Sequence, residues 1–218
     1  MFRRRSIGLT LGFTAITLGA VLLAAVAPLL VVSRPSTNLV GWHTIYDGLP
    51  HDDGTWVSQS AACEFVAIGL DIRGIASHGN GCVFEPSQNI DITSNGFTIT
   101  LTLAPAGDVQ GYEMAGLLFT SDTEMLDITV AQDGTYEFCA ANWSLCLPGS
   151  TAEWHEDPYL GNVVTVGYDP NRGTVTLYVN GQTVSSRNVD LGLHATIGLY
   201  TEANDEVILT HVVITSAN

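Results

Sequence analysis

The sequence predicts an all-β protein: a jelly-roll β-sandwich preceded by one N-terminal transmembrane helix. Three observations predict it. Apolar residues alternate with polar ones at period two through most of residues 96–214, as in GTVTLYVNGQTV at 173–184. Turn dipeptides break these runs at short intervals. No convincing amphipathic helix intervenes, and many short strands at such spacing mark a sandwich or barrel.

The N-terminus comes first. Arg3, Arg4 and Arg5 are the only charges before residue 34, and Ile7 to Val32 carries none at all. A secretory apolar region runs about 7–15 residues, whereas a spanning helix needs about 20. The run therefore reads as a retained signal anchor over residues 1–32. The alternative is cleavage at Ala25-Val26-Ala27, against which stands Pro28 just after the cut. The Arg-Arg pair also hints at twin-arginine export, without the rest of that pattern. In either case the arginines stay inside and the remainder is exported. Residues 33–40, SRPSTNLV, read as a linker. Residues 41–218 then form the extracytoplasmic domain, so the address is a single-pass cell-membrane protein with its C-terminal domain outside.

Composition bounds the partners. All 22 acidic residues follow Tyr46, and against them stand Arg73, Arg172 and Arg187, with no lysine in the chain. Such a field repels nucleic acid and anionic head groups. Nucleic acid is excluded as a partner. The plainest role of this acidity is to keep an exported domain soluble.

Candidate strands follow in order: 64–73, 96–103, 115–120, 125–130, 135–139, 143–147, 162–168, 174–180, 196–201 and 206–214. Asp133-Gly134, Asp169 to Gly173 and Asn180-Gly181 supply turns. Asn-Gly is a strong two-residue hairpin signal, because both central residues of a type I′ turn need positive φ. Four cysteines suit an oxidising compartment. In TYEFCAANWSLCL a tight turn at Asn142-Trp143 sets Cys139 opposite Cys146, within relaxation of disulfide geometry. Cys63 then pairs with Cys82. The rival is a metal site, against which both spacings are too long for zinc's short C-x-x-C pattern.

The run GFTITLTL, AGLLF, DITVAQDGTYEF, GNVVTVGYDPNRGTVTLYVNGQTV and ATIGLYTEANDEVILTHVVIT resembles the concanavalin A-like lectin/glucanase sandwich. It is similar to laminin-G-like and 3-keto-disaccharide-hydrolase-like domains of bacterial surface proteins. The pieces that carry the resemblance are Val179-Asn180-Gly181, then Ile197-Gly198-Leu199-Tyr200, then Val207 to Ile214. It extends over residues 95–215 and is loose over 40–90. These motifs determine fold rather than activity.

Glucanases of this fold place carboxylates at alternate positions of one strand, E-x-D-x-E, so that they share a face. Here Glu124 and Asp127 are three apart, which puts them on opposite faces, and Thr129-Val130 stand where a third carboxylate belongs. The sequence therefore implies no glucanase activity. No G-x-S-x-G nucleophile motif occurs either. Trp143, Trp154 and Tyr159 form an aromatic cluster on which sugar rings could stack; the competing reading is that Trp154 packs the core, since the resemblance places a core tryptophan nearby. Glu153, His155, Glu156 and Asp157 are a candidate metal set, for calcium through oxygens or zinc through histidine and carboxylate, and His51-Asp52-Asp53 is a second. No cofactor other than such an ion is implied. Asn142-Trp143-Ser144 is a glycosylation sequon.

The expectation is non-catalytic recognition of a glycan or surface protein. The ligand would engage the Asn142–Tyr159 segment. One rival is an accessory subunit of a larger membrane assembly, docked partly through the Gly8/Gly12 pair in the helix. The other is a glycan-active hydrolase.

Overall fold

Val164, Val166 and Tyr168 are buried while Val163, Thr165 and Gly167 between them are not. That period-two pattern recurs along most strands, and it builds two stacked sheets with one core between them. The computed structural model describes residues 41–48, 55–58, 63–67, 73–77, 82–87, 95–104, 114–121, 125–131, 133–140, 145–155, 161–191, 195–201 and 206–217. The anchor over 1–32 and the linker over 33–40 lie outside them. Among the described residues no helix is long and apolar enough to cross a membrane.

The strands are β1 Trp42–Gly48, β2 Trp56–Ser58, β3 Cys63–Ala67, β4 Arg73–Ser77, β5 Cys82–Pro86, β6 Phe97–Ala104, β7 Met114–Ser121 and β8 Met125–Ala131. They continue with β9 Thr135–Ala140, β10 Leu145–Ser150, β11 Asn162–Asp169, β12 Thr174–Val179, β13 Gln182–Asn188, β14 Ala195–Thr201 and β15 Glu206–Ala217. One sheet has eight strands in the order β13-β12-β11-β6-β15-β4-β3, with β1 also on β15. The other has seven, β10-β9-β8-β7-β14-β5-β2. The pairs given are antiparallel, as expected of a sandwich whose two outer faces meet solvent.

The core is Phe84, Phe97, Phe119 and Phe138 with Ile99, Leu101, Leu117, Leu126, Ile128 and Leu177, all at most 2 % exposed. Both disulfides are present. Cys63–Cys82 joins β3 of one sheet to β5 of the other, and Cys139–Cys146 joins facing positions of the β9–β10 hairpin, with Cα atoms 3.9 Å apart. Asn180 (φ 49°) and Gly181 (φ 83°) turn the chain from β12 into β13, as type I′ chemistry requires.

Several boundaries differ from the sequence reading. The run 64–73 is not one strand: β3 ends at Ala67 and β4 starts at Arg73. The strand placed at 143–147 is Leu145–Ser150 and runs through Pro148-Gly149, which an end strand tolerates. β1, β2 and β5 lie where no strand was expected.

Candidate functional site

The two outer faces differ. On the eight-stranded sheet, Thr98 and Thr215 share a hydrogen bond at 2.7 Å, and Thr100 and Thr165 share one at 3.0 Å. That sheet also carries an ion pair, His211 Nε2 with Asp47 Oδ1 at 2.7 Å. The outer face of the seven-stranded sheet brings Asp127 and Glu137 onto adjacent strands.

That face is set by β8. Leu126, Ile128 and Val130 enter the core, so Met125, Asp127, Thr129 and Ala131 point outward. Asp127 and Thr129 are nevertheless only 3 % and 1 % exposed. A buried polar side chain is the informative exception to ordinary burial. Register supplies the neighbours. Asp127 stands opposite Leu118 of β7 and Cys139 of β9, while Thr129 stands opposite Gly116 and Glu137. Glu137 is half-buried, with Oε2 3.8 Å from the Cys139 sulfur. Asp127 and Glu137 are thus diagonal neighbours on adjacent strands, a spacing of about 7–8 Å between such positions. Farther along the face Gly198 and Tyr200 of β14 continue the rows. Gly116 admits no side chain, since a Cβ there would lie 1.8 Å from the Ile128 carbonyl oxygen.

The residues singled out by sequence do not assemble as one site. Trp143, Glu156, Asp157 and Tyr159 lie outside the described residues, as do His51-Asp52-Asp53. Trp154 is corrected: it belongs to the core at 8 % exposure, packed against Gly134 of the β8–β9 turn, so its ring offers no stacking platform. Glu153 and His155 have exposed side chains, and their backbones are engaged. Asn180 Nδ2 donates to the Glu153 carbonyl. His155 N donates to Asn162 Oδ1 at 2.8 Å, and Asn162 Nδ2 donates to the His155 carbonyl at 2.9 Å. This is a structural clamp between residues 151–155 and the hairpins.

Among the described residues the one group of three ligand-type side chains within 4.8 Å is Glu137, Cys139 and Cys146. Both sulfurs are in the disulfide, so neither is a thiolate, and the set does not fit a metal. Glu153 and His155 join no such group there. Sequence reasoning set Asp127 aside with Glu124 and missed Glu137, because only the β8–β9 register brings Asp127 and Glu137 together.

No family model matches the chain, and no curated protein matches its sequence. Solved structures do resemble it. Arcelin-5, a lectin-like defence protein from Phaseolus vulgaris, superposes with a TM-score of 0.59 at 11 % identity, over 80 % of this chain and 98 % of that one. The endo-1,3-β-glucanase of Streptomyces sioyaensis gives 0.56 at 8 % identity, over 82 % and 98 %. The carbohydrate-binding module CBM66 from Bacillus subtilis gives 0.50 at 14 % identity, over 79 % and 93 %. The fold is the concanavalin A-like lectin sandwich. At these identities the likeness defines fold alone.

Proposed function

We propose that this chain is an extracytoplasmic carbohydrate-recognition domain that binds glycan without cleaving it and is tethered to a membrane by residues 7–32. The observation that carries the reading is the polar floor on the outer face of the seven-stranded sheet. Asp127 and Thr129 point away from the core yet are buried. Asp127 and Thr129 floor the face beneath Glu137, whose half-exposed carboxylate suits sugar hydroxyls, which both donate and accept. Charge-assisted bonds to a carboxylate are the stronger kind. Lectin-like and carbohydrate-binding relatives by fold support it. The tether rests on the uncharged run and the three arginines before it.

The test is a glycan array probed with the full chain in detergent, followed by calorimetry on the best ligand. Glu137→Gln should weaken binding at least tenfold while the protein remains folded. Undiminished binding would remove Glu137 from the site, and no glycan binding would end the reading.

One observation favours a second reading, a glycan-active hydrolase. Asp127 and Glu137 are two carboxylates on one face, and inverting hydrolysis uses carboxyl groups about 6.5–9.5 Å apart. Release of reducing ends from the array's best ligand, lost in Glu137→Gln, would establish it. β8 itself offers a single outward carboxylate, which is why binding is preferred.

A further inference from the structure

Gly167 leaves a gap on the outer face of the eight-stranded sheet, and an aromatic ring leans over it. β12 sends Val175, Leu177 and Val179 into the core, so Thr174, Thr176 and Tyr178 point outward. Tyr178 stands opposite Thr165 of β11, and Thr176 stands opposite Gly167, so Gly167 is the diagonal neighbour of Tyr178. The Tyr178 Cε2 lies 3.7 Å from where a Cβ would stand at 167, and the Thr98 methyl lies 3.8 Å from the same point. The sheet covers one side of the ring and leaves Tyr178 half-buried, with the other side toward solvent.

Hydroxyls flank the ring and are bound in pairs across the strands. Thr98 pairs with Thr215 at 2.7 Å, Thr100 with Thr165 at 3.0 Å and Thr176 with Ser186 at 3.0 Å. A hydroxyl carries one proton and two lone pairs, so each bonded pair keeps a proton and most of its lone pairs for a ligand. From β13 to β15, no charged side chain stands in the two outward rows that hold Tyr178 and Gly167. In a chain of net charge −15 such a stretch stands apart. Five strands at the usual spacing make it a track of about 19 Å, long enough for an oligosaccharide rather than a single ring.

We infer that this face is a second carbohydrate site, taking a neutral glycan of β-linked glucosyl units, with one sugar ring laid on Tyr178 and its hydroxyls bonded to the flanking pairs. A pyranose whose hydroxyls are equatorial shows C–H groups on its flat sides and donors and acceptors around its rim. The π face of tyrosine is negative and receives those C–H groups, while the rim meets the threonine and serine hydroxyls. Neither row offers a cation to hold an acidic sugar, and the acidic chain repels one. A protein partner fits less well, because interface cores draw on several aromatic, Met or Arg anchors and this track offers one ring. The inference rests on the reading of the chain as a carbohydrate-recognition domain, yet the site lies on the sheet opposite Glu137 and shares no residue with the first.

The test titrates cellohexaose into the full chain, held in a detergent without a sugar head group, and reads affinity at the Tyr178 ring-proton resonances. Cellohexaose should shift them saturably, and oligogalacturonate should not. Glu137→Gln should leave that affinity unchanged. Gly167→Val, whose methyl groups push into the seat of the ring, should weaken it at least fivefold. In the Glu137→Gln background, Tyr178→Ala should weaken calorimetric binding at least tenfold, and Tyr178→Phe, which keeps the ring, less than threefold. Should Tyr178→Ala fail to fold, Gly167→Val and the native resonances decide. Unshifted resonances, an equal response to oligogalacturonate, or affinity unchanged in Gly167→Val and Tyr178→Ala would overturn the proposal. So would an affinity at Tyr178 that fell with Glu137→Gln, since one site would then account for both. The resonances report on Tyr178 alone, so their shift would persist even if Glu137→Gln left the best array ligand bound as before, and the two sites fail separately.

Discussion

The β9–β10 and β12–β13 hairpins end the two sheets on the same side, yet they are closed by different chemistry. In β9–β10 a covalent bridge joins Cys139 to Cys146 at facing positions. In β12–β13 the turn is Asn180-Gly181, both at positive φ. The Asn180 side chain does more than permit that turn. Its Oδ1 accepts from Val163 N at 2.8 Å, and its Nδ2 donates to Asn162 Oδ1 at 2.9 Å and to the Glu153 carbonyl. The first hairpin is held from within. The second is held also by what it touches, and what it touches is the segment leaving the first. A turn residue that reads as local chemistry therefore fastens three parts of the chain.

The strongest way to break this comparison is to remove the piece both hairpins share. Trp154 lies in the segment between β10 and β11, packed against Gly134 and 8 % exposed. Trp154→Ala should lower stability by about 3–5 kcal/mol, the usual cost of truncating a buried aromatic ring. Denaturant unfolding measures it. A loss below about 1 kcal/mol would mean that the ring is not core, and it would return to the list of ligand-binding candidates.

Next in size is the covalent clamp. Replacing both Cys139 and Cys146 with serine removes a short loop constraint, worth about 2–3 kcal/mol in the chain-entropy model. The β12–β13 hairpin should keep its amide-exchange protection while β10 loses its own. Equal loss in both hairpins would show that the clamp on the first also holds the second.

Much of this arrangement is legible in sequence, and the reasons for what is not are physical. β6, β8, β11 and β12 announce themselves because each buries one face fully, so their alternation is unbroken. β13 buries little beyond Val189 at its exit and a half-buried Val184, and its text, QTVSSRN, shows no alternation to read. β2 is three residues long, too short for a period to show. The Cys139–Cys146 pairing is visible because a hairpin is local. The meeting of Asp127 with Glu137 is not, because it depends on register between β8 and β9, and a one-residue slip would turn either to the other face. Trp154 fails differently: a tryptophan in a loop reads as core or as platform until it is seen packed against Gly134.

The smallest effect is a difference between two substitutions at Asn180, and it separates the turn from the clamp. Asn180→Gly keeps the left-handed conformation at no steric cost but deletes the side-chain amide. Three hydrogen bonds vanish, and Val163 N–H and the buried Asn162 lose partners. A net hydrogen bond is worth about 0.5–1.5 kcal/mol, and partly exposed groups recover water. The expected loss is therefore about 1–2 kcal/mol. Asn180→Ala deletes the same bonds and also forces a Cβ into φ 49°. The left-handed region costs an ordinary L-residue about 1–2 kcal/mol, so alanine should be the worse substitution by about 1 kcal/mol. Both follow from denaturant midpoints at constant slope. If glycine matched the native chain, the amide would contribute only turn geometry, and the contrast between the hairpins would dissolve. If glycine and alanine were equally damaging, the clamp alone would matter, and the positive φ would be a consequence of the side-chain bonds rather than a requirement of the turn.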